Sequence, residues 1–115
     1  MADFITLKLN SDFRRVYARG KSVASNALVI YYLKNRTGKA RVGITTSRKI
    51  GNAVERNRSR RIIKEGLRRV MPRIKTGYDY VLVARSKTKH LKSTDISSVL
   101  LSLLSNEGLI LPVEE

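Results

Sequence analysis

Cysteine and tryptophan are absent from this chain, and it has a single histidine and two prolines. Without cysteine there is no disulfide framework, no thiolate-bound metal and no cysteine nucleophile, and a reducing cytoplasm fits. No apolar run approaches the roughly 20 residues a bilayer span needs. Residues 1–10 lack the charged-then-apolar pattern of an export signal. The expectation is a cytoplasmic protein with no membrane partner. Repeats and low-complexity linkers are also missing. At 115 residues with 42% hydrophobic content, the chain is long and apolar enough for one small core. It reads as a single domain over residues 1–115, with 1–6 and 108–115 expected to be flexible.

Acids are the most informative scarcity. Nine Asp and Glu face 24 Lys and Arg, leaving a net charge of +15. The acids are Asp3, Asp12, Glu55, Glu65, Asp79, Asp95, Glu107, Glu114 and Glu115, scattered along the chain with no pair at metal-ligand spacing. A metal-dependent protein nuclease needs clustered carboxylates. A metal-free ribonuclease usually needs histidine as acid or base. The one histidine, His90, lies among Lys87, Lys89 and Lys92, and reads as an RNA-facing or solvated side chain. No catalytic residue and no metal ligand is therefore assigned. The excess of cations calls for a polyanionic partner. Nucleic acid is preferred to an anionic membrane, because no long amphipathic helix carries a bulky apolar face.

Local pattern gives an α-β-β-α-β-α order. Residues 11–19 read as a helix capped by Ser11, with Phe13, Val16 and Tyr17 on one face and Gly20 as its end. A short strand is expected near 21–25, and a β-branched, aromatic strand over 27–34. A turn over 35–38 leads to a strand over 40–47. Val42, Ile44 and Thr46 form one face of that strand. The other face carries Arg41, Gly43, Thr45 and Ser47, which lack bulk, so this face is expected to be open. Residues 52–70 read as a helix, and 78–85, apolar on both faces, as a central strand. A basic loop over 85–92 precedes a last helix over 94–105, capped by Ser93 or Thr94. Such mixed order in a short chain indicates an α+β fold, one sheet with helices packed on it.

The helix over 52–70 is the strongest feature. Asn52 and Glu55 form a capping box. Ser59, Ile62, Ile63, Gly66, Leu67 and Val70 gather on one side and are expected to pack on the sheet. Asn57, Arg60, Arg61, Lys64 and Arg68 gather on the other, with Arg56 and Arg58 nearer the flanks. A merely solvated helix usually interleaves Glu with Lys one turn apart. Here arginine dominates, and its planar fork suits bidentate contact with phosphate or guanine edges. Phe13 and Tyr17, one turn apart, could stack the bases of a single strand beside a basic groove, although core packing is the more ordinary fate for such rings. Thr45 and Ser47 could bond phosphates or sugars, or simply be sheet surface.

The ordered string from Ser47 through Arg48-Lys49-Ile50-Gly51-Asn52-Ala53-Val54-Glu55-Arg56-Asn57-Arg58-Ser59-Arg60-Arg61 resembles the signature of the protein subunit of bacterial ribonuclease P. The Arg41-Val42-Gly43-Ile44 strand matches too. So does Asp12-Phe13-Arg14-Arg15-Val16-Tyr17-Ala18-Arg19-Gly20, followed by Ser22-Val23-Ala24. The resemblance extends over roughly residues 7–105. It implies a two-layer α/β sandwich of order α-β-β-β-α-β-α with a left-handed βαβ crossover, like a domain of a small-subunit ribosomal protein. The general rule for βαβ crossovers favours the opposite, right hand.

The resemblance also implies a partnership with a large catalytic RNA, together removing the 5′ leader of precursor tRNA. Hydrolysis would belong to the RNA, with Mg2+ held mainly by RNA and substrate. The complex would be a 1:1 ribonucleoprotein. Arg56, Asn57, Arg58, Arg60, Arg61, Lys64 and Arg68 would face the catalytic RNA. Phe13, Tyr17 and Tyr31 would line a leader cleft, with Thr45 and Ser47 beside it and Arg48 and Lys49 at its junction. The family often has Phe where this chain has Tyr17, which keeps the ring and adds a hydroxyl. The protein's contribution would be electrostatic, lowering the magnesium needed and broadening substrate binding. A structural RNA-binding protein of ribosomal type is the alternative reading. A DNA-binding protein is disfavoured, because the arginine helix belongs to a βαβ pattern rather than a helix-turn-helix.

Overall fold

The computed structural model describes residues 5–112. Its elements are β1 (Ile5–Thr6), α1 (Asn10–Arg19), β2 (Lys21–Ala24), β3 (Leu28–Lys34), β4 (Arg41–Thr45), α2 (Ala53–Val70), β5 (Tyr78–Ala84) and α3 (Ser93–Asn106). They form an α+β fold around a five-stranded sheet of order β1-β4-β5-β3-β2. β4 and β5 are parallel neighbours joined through α2, the crossover to which the family resemblance attaches a left hand. β3 runs antiparallel to both β5 and β2, and β1 is parallel to β4. The order expected from sequence is present, with the two-residue β1 added.

Alternation along the strands divides the apolar residues between two faces. Leu28, Ile30 and Tyr32 of β3, Val42 of β4 and Tyr80, Leu82 and Ala84 of β5 share one core with Ile63, Leu67 and Val70 of α2 and Ile96, Leu100 and Leu104 of α3. Full burial of each aliphatic side chain contributes about 1.5–3 kcal/mol. These elements make the two layers. α1 covers part of the opposite sheet face, where Val16 packs with Leu7 and Val81, and Phe13, Tyr31, Leu33 and Val83 pack around them.

β5 is central, as its two apolar faces require. The Asn52 and Glu55 capping box is present, with each side chain accepting from the other's backbone N–H at 2.9 and 3.0 Å. Several local expectations are corrected. α1 begins at Asn10, so Ser11 lies inside the helix and caps nothing; no side chain caps this end. At α3, neither Ser93 nor Thr94 is the cap: Lys92 holds that position, and Asp95 accepts its backbone N–H at 2.9 Å. The β4 face expected to be open is largely covered. Gly43 is buried because the Phe13 ring sits on it, at 2.5 Å from where a Cβ would be.

Both chain ends are more engaged than the sequence suggested. Ile5 and Thr6 pair with Arg41 and Val42. After Gly108, Leu109 is buried, Ile110 bridges Ile74, and the Leu111 N–H donates to the Arg73 carbonyl at 2.7 Å. The Tyr32 hydroxyl donates to Glu107 just before this segment, and burial together with that carboxylate pushes the phenol up to about 12. The remaining residues expected to be flexible, 1–4 and 113–115, lie outside the described residues.

Candidate nucleic-acid interface

Two surfaces emerge from this arrangement, one on each side of the sheet. The first is the outer side of α2. Ser59, Ile63, Gly66, Leu67 and Val70 are buried against the sheet and α3, and that fixes which residues face outward. Asn57, Arg58, Arg60, Arg61 and Lys64 are exposed, and Arg56 and Arg68 are half-buried. Among the described residues Arg61 and Lys64 make no intramolecular bond. The others are partly anchored. Arg56 donates to the Gly51 carbonyl at 2.8 Å and Arg58 to the Lys89 carbonyl at 3.2 Å. Arg60 reaches back to the β4 edge, donating to the Ile44 carbonyl at 2.9 Å and the Thr46 hydroxyl at 3.3 Å. Arg68 pairs with Glu65 at 3.4 Å.

The start of α2 is braced from the 85–92 loop. Lys89 donates to the Ile50 carbonyl at 2.8 Å and pairs with Glu55 at 2.9 Å. The Lys89 ammonium, then the Asn52 backbone N–H, hold the Glu55 carboxyl below its ordinary range. Ser47 accepts the Lys49 N–H at 3.3 Å and so starts the short helical turn carrying Arg48 and Lys49, both exposed.

The second surface lies beside α1. Tyr17 meets Tyr31 of β3 edge-on, with ring centroids 4.9 Å apart, and Tyr17 remains 40% exposed. Thr45 lies on this sheet face and is half-buried. Phe13 is displaced from the tyrosine pair. Its ring covers Gly43 and lines a recess of about 250 Å³ with Thr6, Leu7, Val42, Ile44, Arg60 and Lys64. The structure therefore brings Tyr17 and Tyr31 together, sets Phe13 at the β4 edge, and leaves Ser47, Arg48 and Lys49 just past the end of β4.

Sequence reading missed the cluster that fixes α1. Asp79 of β5 is 1% exposed and sits among apolar neighbours. It accepts from Arg41 twice, at 2.7 Å each, from Arg15 of α1 at 2.8 Å and from Asn35 at 2.9 Å. Burial alone would raise this carboxyl, but the bonds from Arg41 and Asn35, the Arg41 charge and the Arg15 bond outweigh it and hold the group below its ordinary range. A lone acid inside an otherwise apolar central strand was the available signal, since such a charge must be paired.

Every carboxylate among the described residues is already engaged. Asp12 pairs with Arg15 at 3.3 Å, and Glu55, Glu65, Asp79, Asp95 and Glu107 have the partners given above. On the outer face of α2 Glu65 offsets one cation, Arg68, and the remaining cations outnumber it. Among the described residues no three His, Asp or Glu side chains gather to hold a metal ion, and no helix is long and apolar enough to cross a membrane.

Comparison with known proteins agrees in sequence and in shape. The family model described as Ribonuclease P matches residues 1–107. The ribonuclease P protein component of Clostridioides difficile (strain 630) is 48% identical over 99 residues, covering 85% of this chain and 87% of that protein. The solved RNase P protein of Staphylococcus aureus superposes with a TM-score of 0.81 at 32% identity, over 94% of this chain and 99% of that one. The Thermotoga maritima RNase P protein gives a TM-score of 0.78 at 30% identity, over 96% and 98%.

Proposed function

The chain belongs to the family of the ribonuclease P protein component, and from that premise we propose how its surfaces are divided between two RNAs. As the protein subunit of the ribonuclease P endoribonuclease, it associates with the RNA subunit and with the tRNA substrate whose 5′ leader is removed. The outer face of α2 takes the RNA subunit. Arg61 and Lys64 are its free phosphate contacts, Asn57 lies one turn before Arg61 on the same side, and Arg56, Arg58, Arg60 and Arg68 are cations held in place by their own bonds. The observation that carries this is electrostatic: a face of cations beside which no carboxylate is left unpaired.

The leader runs past Tyr17 and Tyr31, where an exposed ring edge offers stacking to any base. Thr45 and Ser47 flank its path, Phe13 supports the cleft from the β4 edge, and Arg48 and Lys49 meet the strand where it joins the RNA-subunit face. No residue of the chain performs the hydrolysis. Magnesium ions are held by the RNA subunit and the substrate, and the chemistry they supply is the activation of water. The protein offsets phosphate repulsion between two RNAs, which lowers the magnesium required and broadens the range of substrates bound. It acts in the cytoplasm, as one protein per RNA.

The test is cleavage of precursor tRNA at limiting magnesium, comparing RNA subunit alone, protein alone and both. Cleavage in the combined reaction only is expected. Cleavage by the protein alone would overturn the assignment of chemistry to RNA. If neither mixture cleaves although the RNA is active at high magnesium, the chain is a structural RNA-binding protein of ribosomal type.

A further inference from the structure

α1 packs across its sheet face and divides it. Tyr17 and Tyr31 lie on one flank. On the other flank is a basin of about 520 Å³ lined by Arg15, Arg19, Leu33, Lys34, Asn35, Arg36, Thr37 and Arg41. Helical spacing accounts for the separation, because Arg15 and Arg19 are one turn apart while Phe13 and Tyr17, also one turn apart, lie about 160° away round the helix. The basin is absent from the division of surfaces above.

Its chemistry is narrow. Asp79 is the acid beneath it, and it is saturated by Arg15, Arg41 and Asn35. Those bonds fix two guanidinium groups in place. Arg41 offers its remaining Nη1 edge, and Arg15 keeps a free edge beside its bonds to Asp79 and Asp12. Arg19, Lys34 and Arg36 are exposed and make no bond among the described residues. The neutral polar groups are engaged in the turn: Asn35 donates to the Lys39 carbonyl and accepts from Thr37. No aromatic ring lines the basin, so it offers neither stacking nor a free amide to read a base edge. What remains suits phosphates held by charge.

We propose that this basin binds the phosphodiester backbone of the upstream part of the leader, after the strand has passed over α1 from the tyrosine cleft. The proposal rests on the leader reading given above. Continuity between the two places favours a single strand. The outward side of α1 carries Ser11, Arg14 and Ala18, which are two small side chains and one cation, all exposed. The two flanks are separated by one helix diameter, about 10 Å. A concave basin also suits one flexible backbone better than the rigid convex surface of a duplex.

The test uses the assembled ribonucleoprotein and precursor tRNAs of two leader lengths, one ending at the tyrosine cleft and one extended upstream by a uridine run. The Arg19→Ala/Arg36→Ala double variant removes two cations that bond nothing in the fold, so its melting temperature should match that of the parent. We expect it to bind the long-leader precursor about tenfold more weakly at moderate salt, with a salt dependence reduced by the equivalent of about two phosphate contacts. Binding of the short-leader precursor and assembly with the RNA subunit should not change. Equal loss on both leaders, weaker assembly with the RNA subunit, or no loss on either leader would each overturn the proposal. Tyr17→Ala on the short leader separates the two readings. If it weakens binding while the arginine variant has no effect on the long leader, the basin alone fails. If Tyr17→Ala has no effect on the short leader, the cleft reading fails and the basin proposal falls with it.

Discussion

Replacing Asp79 with Asn tests whether the buried cluster holds α1 on the sheet. Asp79 accepts all four of its hydrogen bonds from Arg41, Arg15 and Asn35, at 2.7–2.9 Å. An amide keeps one acceptor oxygen and turns an N–H₂ donor toward guanidinium donors. Removing one partner of a fully buried ion pair costs about 3–5 kcal/mol. Here Arg15 is 40% and Arg41 23% exposed, so solvent screens part of the loss, and about 2–3 kcal/mol is the reasoned figure. For 115 residues the unfolding entropy is about 0.24 kcal/mol/K, so the melting temperature should fall by about 8–12 °C.

The effect of pH has a definite sign. The Asp79 carboxyl is held below its ordinary value of 3.8 in the folded state, so its contribution is fully present above that value. It is lost as pH falls through the lower folded value. The stability gap between parent and Asp79→Asn should therefore be constant from neutral pH down to about 4 and shrink below it. Thermal and urea unfolding across that range measure both quantities. A drop under about 3 °C at neutral pH, or a gap that widens in acid, would refute the clamp.

Gly66→Ala should destabilise the fold although Ala favours helices by about 1 kcal/mol. The new Cβ would lie 2.7 Å from the Ser93 carbonyl and 2.8 Å from Ile96 Cβ, and such overpacking costs about 1–3 kcal/mol; a raised urea midpoint would contradict the α2–α3 contact. Tyr17→Ala should weaken binding of precursor tRNA by about 1–3 kcal/mol and leave mature tRNA unaffected, while Tyr17→Phe keeps the ring and most of the affinity; fluorescence titration of both RNAs decides it. Replacing Arg56, Arg58 and Arg61 together with Ala should weaken assembly with the RNA subunit and flatten its salt dependence by the equivalent of up to three contacts, without unfolding the protein; normal assembly at moderate salt would remove α2 from the RNA face.

What the sequence disclosed was local or periodic. The α2 capping box, its apolar stripe and its cationic side could all be read from spacing, because each depends on residues within a few turns of one another. β5 was recognisable as central because both of its faces are apolar. β1 was not, since two residues carry no period. The open face assigned to β4 failed for a non-local reason: Gly43 lacks bulk because Phe13, thirty residues earlier, supplies it. The Asp79 cluster joins α1, the β3–β4 turn, β4 and β5, so no window of sequence contains it. The tail after Gly108 reads as a frayed terminus, yet its backbone pairs with the segment after α2.

The two proposed RNA surfaces lie on opposite sides of one sheet, and their relation is set where β4 passes into α2. That junction is short and internally bonded. Arg60 ties α2 back to the Ile44 carbonyl and Thr46 hydroxyl, Lys89 ties the Ile50 carbonyl and Glu55 to the following loop, and Ser47 starts the turn bearing Arg48 and Lys49. A strand in the tyrosine cleft and an RNA on α2 are therefore held by groups with little freedom to move relative to each other. Ordering costs that would otherwise fall on the assembled complex are met in the folding of the free protein. The same bonds explain why so few acids suffice. Among the described residues Asp12, Asp79, Glu55, Asp95 and Glu107 brace a clamp, a junction or a helix end, Glu65 pairs with Arg68, and the excess of positive charge is directed outward.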